Sequence, residues 1–289
     1  MAFIFIFIIS ILLCGLYMTI IKTYFRDKDD KISYNVLLKH FIQKVSENNY
    51  YMNYGYWEKD TKTLYEANNN LIKLVLDKSK MIEKKGIKIL DVGCGYGEQD
   101  IEWSKQIDKS NKITAVDISE EQIHNATNKK SDVKFEVCDA EEIDIKYNNE
   151  IFDTIISLES AFHYEKRNKF YNNVNNLLSE DGKFIITDIM LRKECYKGII
   201  MRMMIYIFSE FLCIPNNNLI NEEEWENNLL SELNVEESID ITEKTFDPYY
   251  KNFMMNYFKN SEMMGKIFSN FFCEYQPFAY KIAICSKKK

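Results

Sequence analysis

The feature that most constrains this fold is a short apolar run that ends in three glycines at alternate positions. The run 87–92 is followed by the segment GCGYG at 93–97, and a helical pattern begins directly afterwards. Glycine occurs in this arrangement where a strand turns sharply and where a ligand approaches the backbone closely. The segment therefore predicts a strand, a ligand-binding loop and a helix, in that order.

The same alternation of strand and helix continues along the chain. Apolar runs typical of buried strands are separated by helical patterns, which favours a doubly wound, parallel α/β sheet. The predicted strands are 112–117, 133–137, 151–157 and 183–188, and the predicted helices are 119–129 and 165–178. With only three prolines and nine glycines, the chain shows no obvious hinge, so this body is expected to be one domain.

The residues that open the helix after the glycines indicate which ligand the loop accepts. Glu98 and Asp100 place carboxylates at the helix N-terminus, where a phosphate group favours hydrogen-bond donors and no anions. A dinucleotide is therefore disfavoured. An adenosine ligand that lacks phosphate and carries a cationic group fits better, and S-adenosylmethionine has that chemistry.

Polar residues also stand at the ends of the next strands, where such a ligand needs them. Asp117 ends the second strand and is expected to accept hydrogen bonds from both ribose hydroxyls, with helix capping as the alternative. Asp139 and Ala140 follow the third strand and can face the adenine edge. Ser157 and Glu159 end the fourth strand, beside the crevice in which doubly wound sheets bind ligands.

Charge and cysteine usage exclude several classes of function. The chain has 37 Lys and Arg against 44 Asp and Glu, a net charge of −7, and its basic residues are scattered. A nucleic-acid binder needs a basic face, so no nucleic-acid partner is expected. The seven cysteines form no CxxC pair, so neither a disulfide framework nor a metal site is predicted, and a reducing compartment fits.

The first 22 residues form a separate segment. Residues 2–21 carry no charge, and twenty helical residues span about 30 Å, the thickness of a bilayer core. We therefore expect a transmembrane anchor at 1–22; a cleaved signal peptide and a buried helix are the alternatives. Lys22, Arg26, Lys28 and Lys31 flank only its C-terminal side, which predicts a cytosolic body at a membrane, with the endoplasmic reticulum as one candidate.

The run of segments LDVGCGYG, VDIS, CDAEEI, FDTIISLESAFHY and LLSEDGKFIITDI resembles a class I S-adenosylmethionine-dependent methyltransferase over residues 85–190. The preceding segment YGYW at 54–57 is similar to a subset that methylates small molecules and lipids, including sugar O-, tocopherol, phosphoethanolamine and sterol methyltransferases. The resemblance implies a Rossmann-like, seven-stranded sheet with an antiparallel final hairpin, formed by 235–246 and 278–286, and a helical lid insertion.

The resemblance also implies a division of the chain. We expect an anchor, an N-terminal helical cap with an aromatic cofactor loop, a cofactor-binding α/β core, a lid insertion, and a last part that completes the sheet and the lid. Their boundaries are 1–22, 23–84, 85–190, 191–234 and 235–289.

Site residues follow from the same resemblance. Gly93, Gly95 and Gly97 would line the methionine part of the cofactor, and Asp91 would hold its amino group. Asp117 would take the ribose, Ile118 would flank the adenine, and Asp139 with Ala140 would contact the adenine edge.

The residues that act on the acceptor are less direct to assign. In sugar-modifying relatives a histidine and an aspartate handle the acceptor's proton, and these positions are His163 and Asp188 here. Our hypothesis is that His163 is the general base and that Asp188 orients it, while Glu159 supports the nearby loop. Tyr54, with Tyr51 and Tyr56, is expected to close over the cofactor, with an aromatic core cluster as the alternative.

Together these features predict methyl transfer from S-adenosylmethionine to oxygen or nitrogen of a small or lipid-like acceptor. The methionine-rich lid sequence at 197–214 suits an apolar acceptor; a lid helix packed simply as core is the alternative. One alternative is carbon methylation of a sterol-like or unsaturated lipid, which needs cation-stabilising carboxylates that the sequence does not assign. The other is a catalytically silent, cofactor-binding scaffold at a membrane.

Overall fold

Seven strands form one mixed sheet in the order β3-β2-β1-β4-β5-β7-β6. The computed structural model describes residues 50–193, 198–254 and 270–289. Strands β1 to β5 are parallel, and β7 is antiparallel to both β5 and β6. The strands are β1 Lys88–Val92, β2 Lys112–Asp117, β3 Lys134–Val137, β4 Phe152–Leu158, β5 Leu178–Leu191, β6 Leu233–Asp240 and β7 Phe278–Lys287.

The longer helices begin where the sequence provides capping residues. Thr63 and Glu66 form a reciprocal capping box at the start of α1, and Ser119 and Asn221 cap α3 and α7 through their side-chain oxygens. The helices are α1 Leu64–Ser79, α2 Glu98–Gln106, α3 Glu120–Thr127, α4 Ile143–Lys146, α5 Arg167–Leu177, α6 Ile199–Phe211 and α7 Glu222–Glu232. Shorter helical stretches follow at Phe246–Pro248, Tyr249–Met254 and Asn270–Tyr275.

Strand order reverses between β1 and β4, and this reversal fixes where a ligand can bind. The chain leaves β1 towards β2 and β3 on one side, and returns to β4 and β5 on the other. The helices that follow β1 and β4 therefore lie on opposite faces, which opens a crevice at the carboxyl ends of these strands. The loops after β1, β2 and β4 all reach this crevice.

Alternate residues of β5 face two different hydrophobic layers. Ile185 and Ile189 belong to the layer that contains Trp103 of α2, whereas Ile186 and Met190 pack in the layer beneath α5 and α7. This alternation is the period of two expected for a strand covered on both faces. It also determines where Asp188 points. Asp188 is two residues from Ile186 and from Met190, so its side chain lies on the same face of the strand as theirs.

The predicted sheet and its final hairpin are confirmed, and the main difference lies in β6. The sequence placed this strand at 235–246, but pairing with β7 ends at Asp240. Thr242 then accepts a hydrogen bond from the backbone N–H of Tyr280 at 2.9 Å, and the chain turns into the short helix Phe246–Pro248. This turn brings several aromatic side chains back over the carboxyl end of β4.

The predicted membrane anchor at 1–22, most of the cap before residue 50 and part of the last helical region lie outside the described residues. Within the ranges that are described, no helix combines the length and the apolar character that a membrane crossing requires.

Candidate cofactor and acceptor site

The glycine loop is fastened to β2 by backbone hydrogen bonds and by one carboxylate. The backbone N–H groups of Gly93 and Cys94 donate to the carbonyl of Val116, at 2.8 and 3.0 Å. Asp117 accepts from Gly95 N–H through Oδ2 at 3.0 Å and from Ser119 N–H through Oδ1 at 2.9 Å. Asp117 therefore holds the loop and begins the next helix, in addition to facing the crevice.

The three glycines serve different purposes. A Cβ on Gly93 would lie 1.8 Å from Ser160 Oγ, and one on Gly97 would lie 2.4 Å from the Phe135 ring. Neighbouring protein atoms therefore require glycine at both positions. At Gly95 the nearest atom to an added Cβ is Met52 Sδ at 3.5 Å, which is ordinary contact, so neighbouring protein atoms do not require glycine at this position.

Beneath the loop, Asp91 and Asp100 form a buried pair of carboxyl groups. Both are 0% exposed, and Gln99 donates from Nε2 to Asp91 Oδ2 at 3.0 Å. Burial raises the pKa of Asp91 to about 7, and burial together with Asp91 raises the pKa of Asp100 well above its usual range. A shared proton thus removes charge from this pair.

The start of α2 is less anionic than the sequence indicates. Burial disfavours the ionised form of Asp100 and raises its pKa, and Glu98 pairs with Lys129 at 2.6 Å. The argument against a phosphate ligand from these two carboxylates is therefore weaker in the structure than in the sequence. The choice of cofactor rests instead on the remaining geometry and on the comparisons below.

Residues expected at the adenosine end of the ligand lie at the ends of β2 and β3. Ile118, directly after β2, is 41% exposed and is therefore accessible to an adenine ring. Asp139 caps a helical turn by accepting from Glu141 N–H at 2.9 Å through Oδ1, and Ala140 behind it is buried. Their contact with the cofactor stays a prediction.

The chain from residue 50 to 54 covers the glycine loop. The ring of Tyr50 lies 5.4 Å from that of Tyr96, and Met52 Sδ lies against Gly95 and accepts from Gln122 Nε2 at 3.8 Å. The sequence analysis missed Tyr50 and Met52 because no pattern marks a single flexible side chain as a cover.

The three tyrosines expected over the cofactor take different positions. Tyr54 lies at the carboxyl end of β4, as described below. Tyr51 donates to Asn69 of α1 at 3.1 Å, and Lys244 Nζ lies 4.9 Å from the centre of the Tyr56 ring. That Tyr54 shields the cofactor therefore stays a prediction. Tyr50 and Met52, which lie on the glycine loop, are added to the residues expected to shield it.

Glu159 is the most constrained residue at the end of β4. It has a φ of 51°, which costs a non-glycine residue energy and marks many functional sites. Its backbone N–H donates to Thr187 Oγ1 at 2.9 Å. Its Oε1 accepts from Tyr280 OH at 2.5 Å and from the backbone N–H of Tyr54 at 2.9 Å.

Glu159 therefore supports the aromatic segment, as predicted, but the structure gives it a second property. The side chain is 8% exposed, and burial raises its pKa to about 8. Ser157, two residues earlier, is fully buried within β4, and its contact with the cofactor stays a prediction.

His163 lies in the short helical turn Ala161–His163 after β4. Its Nδ1 lies 3.0 Å from the carbonyl oxygen of Cys213, so this nitrogen carries the proton and the ring lone pair is on Nε2. Burial lowers the pKa of His163 to about 4. The ring is thus neutral at pH 7.

The predicted orientation of His163 by Asp188 is wrong. Asp188 Oδ2 accepts from Trp225 Nε1 at 2.7 Å and lies 3.3 Å from Arg167 Nη1. Because Asp188 has the parity of Ile186 and Met190, its side chain points beneath α5 and α7 rather than towards the turn that carries His163. The carbonyl of Cys213 holds the imidazole instead, and Asp188 belongs to a buried ion pair.

Comparison with known proteins identifies the core. A family model described as a methyltransferase domain matches residues 83–206, which contain β1 to β5. Residues 83–206 are a methyltransferase domain. The domain is similar to erythromycin 3''-O-methyltransferase of Saccharopolyspora erythraea, with 32% identity over 144 residues, which are 48% of this chain and 46% of that protein.

Two further similarities extend this result. The methyltransferase domain is similar to sarcosine/dimethylglycine N-methyltransferase of Halorhodospira halochloris, with 26% identity over 56% of this chain and 58% of that protein. The fold matches a geranyl diphosphate methyltransferase solved with SAM, at 14% identity and a TM-score of 0.63 over 83% of this chain and 99% of that one. The chain spans about half the length of the curated relatives that it matches.

These comparisons make S-adenosylmethionine the cofactor of the methyltransferase domain, and the described residues fit it. Gly95 tolerates a neighbour at ordinary contact distance, Asp117 stands at the end of β2, and the exposed Ile118 follows it. The buried Oδ1 of Asp91 has no hydrogen-bond partner among the described residues, as expected for an atom that a ligand's amino group completes.

Proposed function

We propose that this protein transfers a methyl group to oxygen or nitrogen of a small-molecule acceptor. The observation that carries the proposal is the loop at 93–97, which Asp117 fastens to the end of β2 within a methyltransferase domain. When bound, S-adenosylmethionine supplies an electrophilic methyl group. The relatives named as O- and N-methyltransferases support both kinds of acceptor atom.

The chain's own contribution is to align the acceptor, exclude water and accept its proton. Alignment can account for about 7–11 kcal/mol of the barrier to an in-line displacement. Tyr50 and Met52 lie against the loop, and the backbone N–H of Tyr54 donates to Glu159. His163 can take the acceptor's proton at Nε2, since Nδ1–H is directed at the Cys213 carbonyl.

The low pKa of His163 limits this role. A general base is most effective when its pKa lies near the working pH, where it contributes about 10²–10⁴ in rate. Burial lowers the pKa of His163 to about 4, whereas it raises that of Glu159 to about 8. His163 is therefore an oriented but weak base, and Glu159 is the stronger proton acceptor in the same crevice.

Substitution of His163 tests its role. In His163→Ala we expect turnover to fall at least tenfold with the S-adenosylmethionine affinity unchanged, as for the loss of an oriented base. His163→Gln retains a group that can donate to the Cys213 carbonyl and is the matched variant for structural effects. Less than about a threefold change in turnover in both variants would remove His163 from the mechanism.

Label transfer tests the reaction itself. The protein is incubated with methyl-labelled S-adenosylmethionine and a total cell extract, and the products are partitioned between organic and aqueous phases. Label in water indicates a polar acceptor, and label in the organic phase a lipid-like one. Binding of S-adenosylmethionine without any transfer would contradict the proposal and favour the silent scaffold.

We further propose that the acceptor is lipid-like and that residues 1–22 tether the chain to a membrane, with the body in the cytosol and the endoplasmic reticulum as one candidate membrane. Supporting this, Ile199, Met203 and Tyr206 form an exposed apolar stripe on α6, with 75%, 37% and 53% of each residue accessible. We expect the full chain to sediment with membranes and to resist extraction by high salt. A chain beginning at residue 23 should become extractable; equal behaviour of the two would contradict the tether.

Carbon methylation remains a second candidate because of one specific observation. This chemistry needs a carboxylate to stabilise a cationic intermediate, and Glu159 is a buried carboxylate among tyrosine rings. Mass spectrometry of the labelled product distinguishes a new C–CH₃ bond from O- or N-methylation.

A further inference from the structure

An aromatic cluster surrounds the carboxyl end of β4. The ring of Tyr54 lies 4.8 Å from Phe246 and from Tyr249, and 6.4 Å from Tyr280, in each case edge to face. Tyr250 lies 6.1 Å from Tyr54, with their hydroxyl oxygens 3.5 Å apart. We call Tyr54, Phe246, Tyr249, Tyr250 and Tyr280 the aromatic cluster.

Glu159 is the acidic group of this cluster. Its carboxylate raises the pKa values of Tyr54, Tyr249 and Tyr280, although burial is the larger cause for each. Both hydrogen bonds described for the Glu159 side chain go to Oε1. Within the described part of the chain, Oε2 therefore has no hydrogen-bond donor.

The chain holds Glu159 in this position at an energetic cost. A positive φ in a non-glycine residue costs of order 1–3 kcal/mol, and burial without a counter-ion disfavours the ionised form of Glu159, which raises its pKa to about 8. The backbone bond to Thr187 and the two bonds at Oε1 keep the side chain at the crevice nonetheless. Such an arrangement is explained when a ligand of opposite charge completes it.

Aromatic rings, like the Glu159 carboxylate, favour a positively charged ligand. Their faces carry negative potential and attract ammonium groups within about 6 Å. Tyr54 is the partly exposed ring of the cluster, whereas Phe246, Tyr249, Tyr250 and Tyr280 are buried and pack against one another. We propose that Glu159, beside the Tyr54 ring, binds the positively charged nitrogen of the acceptor, so that the acceptor is an amine in its ammonium form. This inference rests on the proposed methyl transfer.

The same geometry gives Glu159 a role in the reaction. An ammonium nitrogen has no lone pair, so it must lose a proton before it can be methylated. The N–H bond breaks, the proton binds Glu159 Oε2, and the nitrogen keeps the electron pair. Without a ligand, burial raises the pKa of Glu159 to about 8. A bound ammonium stabilises the carboxylate, so that the proton held by Glu159 leaves to solvent on binding. The carboxylate formed in this way can then accept the proton of the N–H bond.

Binding of choline to the full chain, with S-adenosylhomocysteine present, tests the inference by calorimetry without requiring turnover. The matched uncharged ligand is 3,3-dimethylbutan-1-ol, in which a carbon atom replaces the charged nitrogen of choline. We expect choline to bind at least tenfold more tightly than its isostere. Glu159→Gln, which can still accept from Tyr280 and Tyr54, should abolish that preference. Equal affinities of the two ligands for the unaltered chain would overturn the proposal.

Control variants distinguish the loss of the Glu159 charge from a general change in structure. Glu165→Gln removes an exposed carboxylate six residues further on and should leave the choline preference unchanged. Tyr280→Phe keeps the ring but removes the bond to Oε1, so choline affinity should fall by about two- to fivefold. Retained affinity for S-adenosylhomocysteine shows that each variant is folded. A loss of choline binding in Glu165→Gln equal to that in Glu159→Gln would contradict a site at Glu159.

The sulfonium of the cofactor is the competing cation. If Glu159 faces it, Glu159→Gln will weaken S-adenosylmethionine relative to neutral S-adenosylhomocysteine and leave choline binding unaltered, which overturns the proposal. Label transfer to hydroxyl acceptors without choline binding also overturns it while the proposed methyl transfer stands. Choline selectivity that depends on Glu159, without label transfer to any acceptor, would support the cation site and contradict the methyl transfer.

Discussion

The cofactor side and the acceptor side of this crevice are built in different ways. On the cofactor side, Asp91 and Gln99 are 8 residues apart, and Gly95 and Asp117 are 22 apart. On the acceptor side, Glu159 bonds Tyr280 across 121 residues, and the hydroxyl groups of Tyr54 and Tyr250 meet across 196. One side is a local unit of strand, loop and helix, whereas the other is assembled by the whole sheet.

This difference explains why the cofactor side can be recognised from the sequence, whereas the acceptor side cannot. A local unit must satisfy its turns and its ligand within one short segment, so its residues form a recognisable pattern. The acceptor side collects side chains from the N-terminal segment, β4, β5, β7 and the turn after β6. Its chemistry therefore depends on packing between distant parts of the chain, and it can change without altering the cofactor loop.

The largest effect is expected at the framework beneath the acceptor side. Arg167 and Asp188, 3% and 0% exposed, form an ion pair at 3.3 Å, and Arg167→Met leaves the buried Asp188 carboxylate without its counter-ion. We expect the free energy of unfolding in urea to fall by about 3–5 kcal/mol. Arg192→Met, which breaks the partly exposed pairs with Glu222 and Asp240, should cost about 1 kcal/mol or less.

Asp188→Asn extends this test to the mechanism. If Asp188 is structural, stability falls and the remaining folded protein retains most of its turnover. Unchanged stability with a large loss of turnover would restore the catalytic role that the sequence indicated.

The next effect tests how tightly the cofactor loop is packed. In Gly97→Ala the new Cβ meets the Phe135 ring at 2.4 Å, at a residue whose φ is 72°. We expect a loss of about 2–4 kcal/mol in unfolding free energy from overpacking and backbone strain together. Gly86→Ala has a similar φ of 69° and nothing within 4 Å, so it measures the strain alone, about 1 kcal/mol.

Gly95→Ala tests whether the ligand, rather than neighbouring protein atoms, requires glycine at this position of the loop. Its Cβ has only ordinary contacts, so stability should resemble that of Gly86→Ala while affinity for S-adenosylmethionine falls. Equal cofactor affinity in Gly95→Ala and Gly86→Ala would show that the ligand does not approach Gly95.

The sequence predicted the sheet, the loop and Asp117 because each depends on neighbours close in the chain. It did not predict that Glu159 would lie against Tyr280, since no spacing relates residues on β4 and β7 before their register is known. Asp188 was misassigned for a related reason. The strand predicted at 183–188 exists, but it runs to Leu191 rather than ending at Asp188, and the face on which Asp188 lies depends on the alternation of residues along the strand. Met52 could be found only once the segment before α1 was placed over Gly95.

A smaller effect is expected for the carboxylate that joins the loop to β2. Asp117→Ala removes the acceptor for two backbone N–H groups and for the ribose. Charge-assisted hydrogen bonds contribute about 1.5–3 kcal/mol each, so affinity for S-adenosylmethionine should fall by about 10- to 100-fold in calorimetry. Asp139→Ala, which removes one described cap, should change the affinity less. The reverse order would place the ribose near Asp139.

The smallest effect is a pH dependence that belongs to the acceptor side. In the folded chain burial raises the pKa of Glu159 to about 8 from 4.5, so between these values the folded chain keeps a proton that the unfolded chain releases. Stability from this group is complete below the unfolded pKa and is lost as pH rises towards 8. The contribution of Glu159 to the free energy of unfolding changes by at most about 1.4 kcal/mol per pH unit.

Glu159→Gln isolates this contribution, because Asp91 and Asp100 titrate equally in both chains. The stability difference between the unaltered chain and Glu159→Gln, measured in urea at several pH values, should shift against the unaltered chain by about 1 kcal/mol from pH 6 to pH 7. Choline should reduce this shift, since a bound ammonium stabilises the carboxylate and lowers its pKa. A pH-independent difference would mean that Glu159 is already ionised in the folded chain, with a cationic partner supplied by the protein itself.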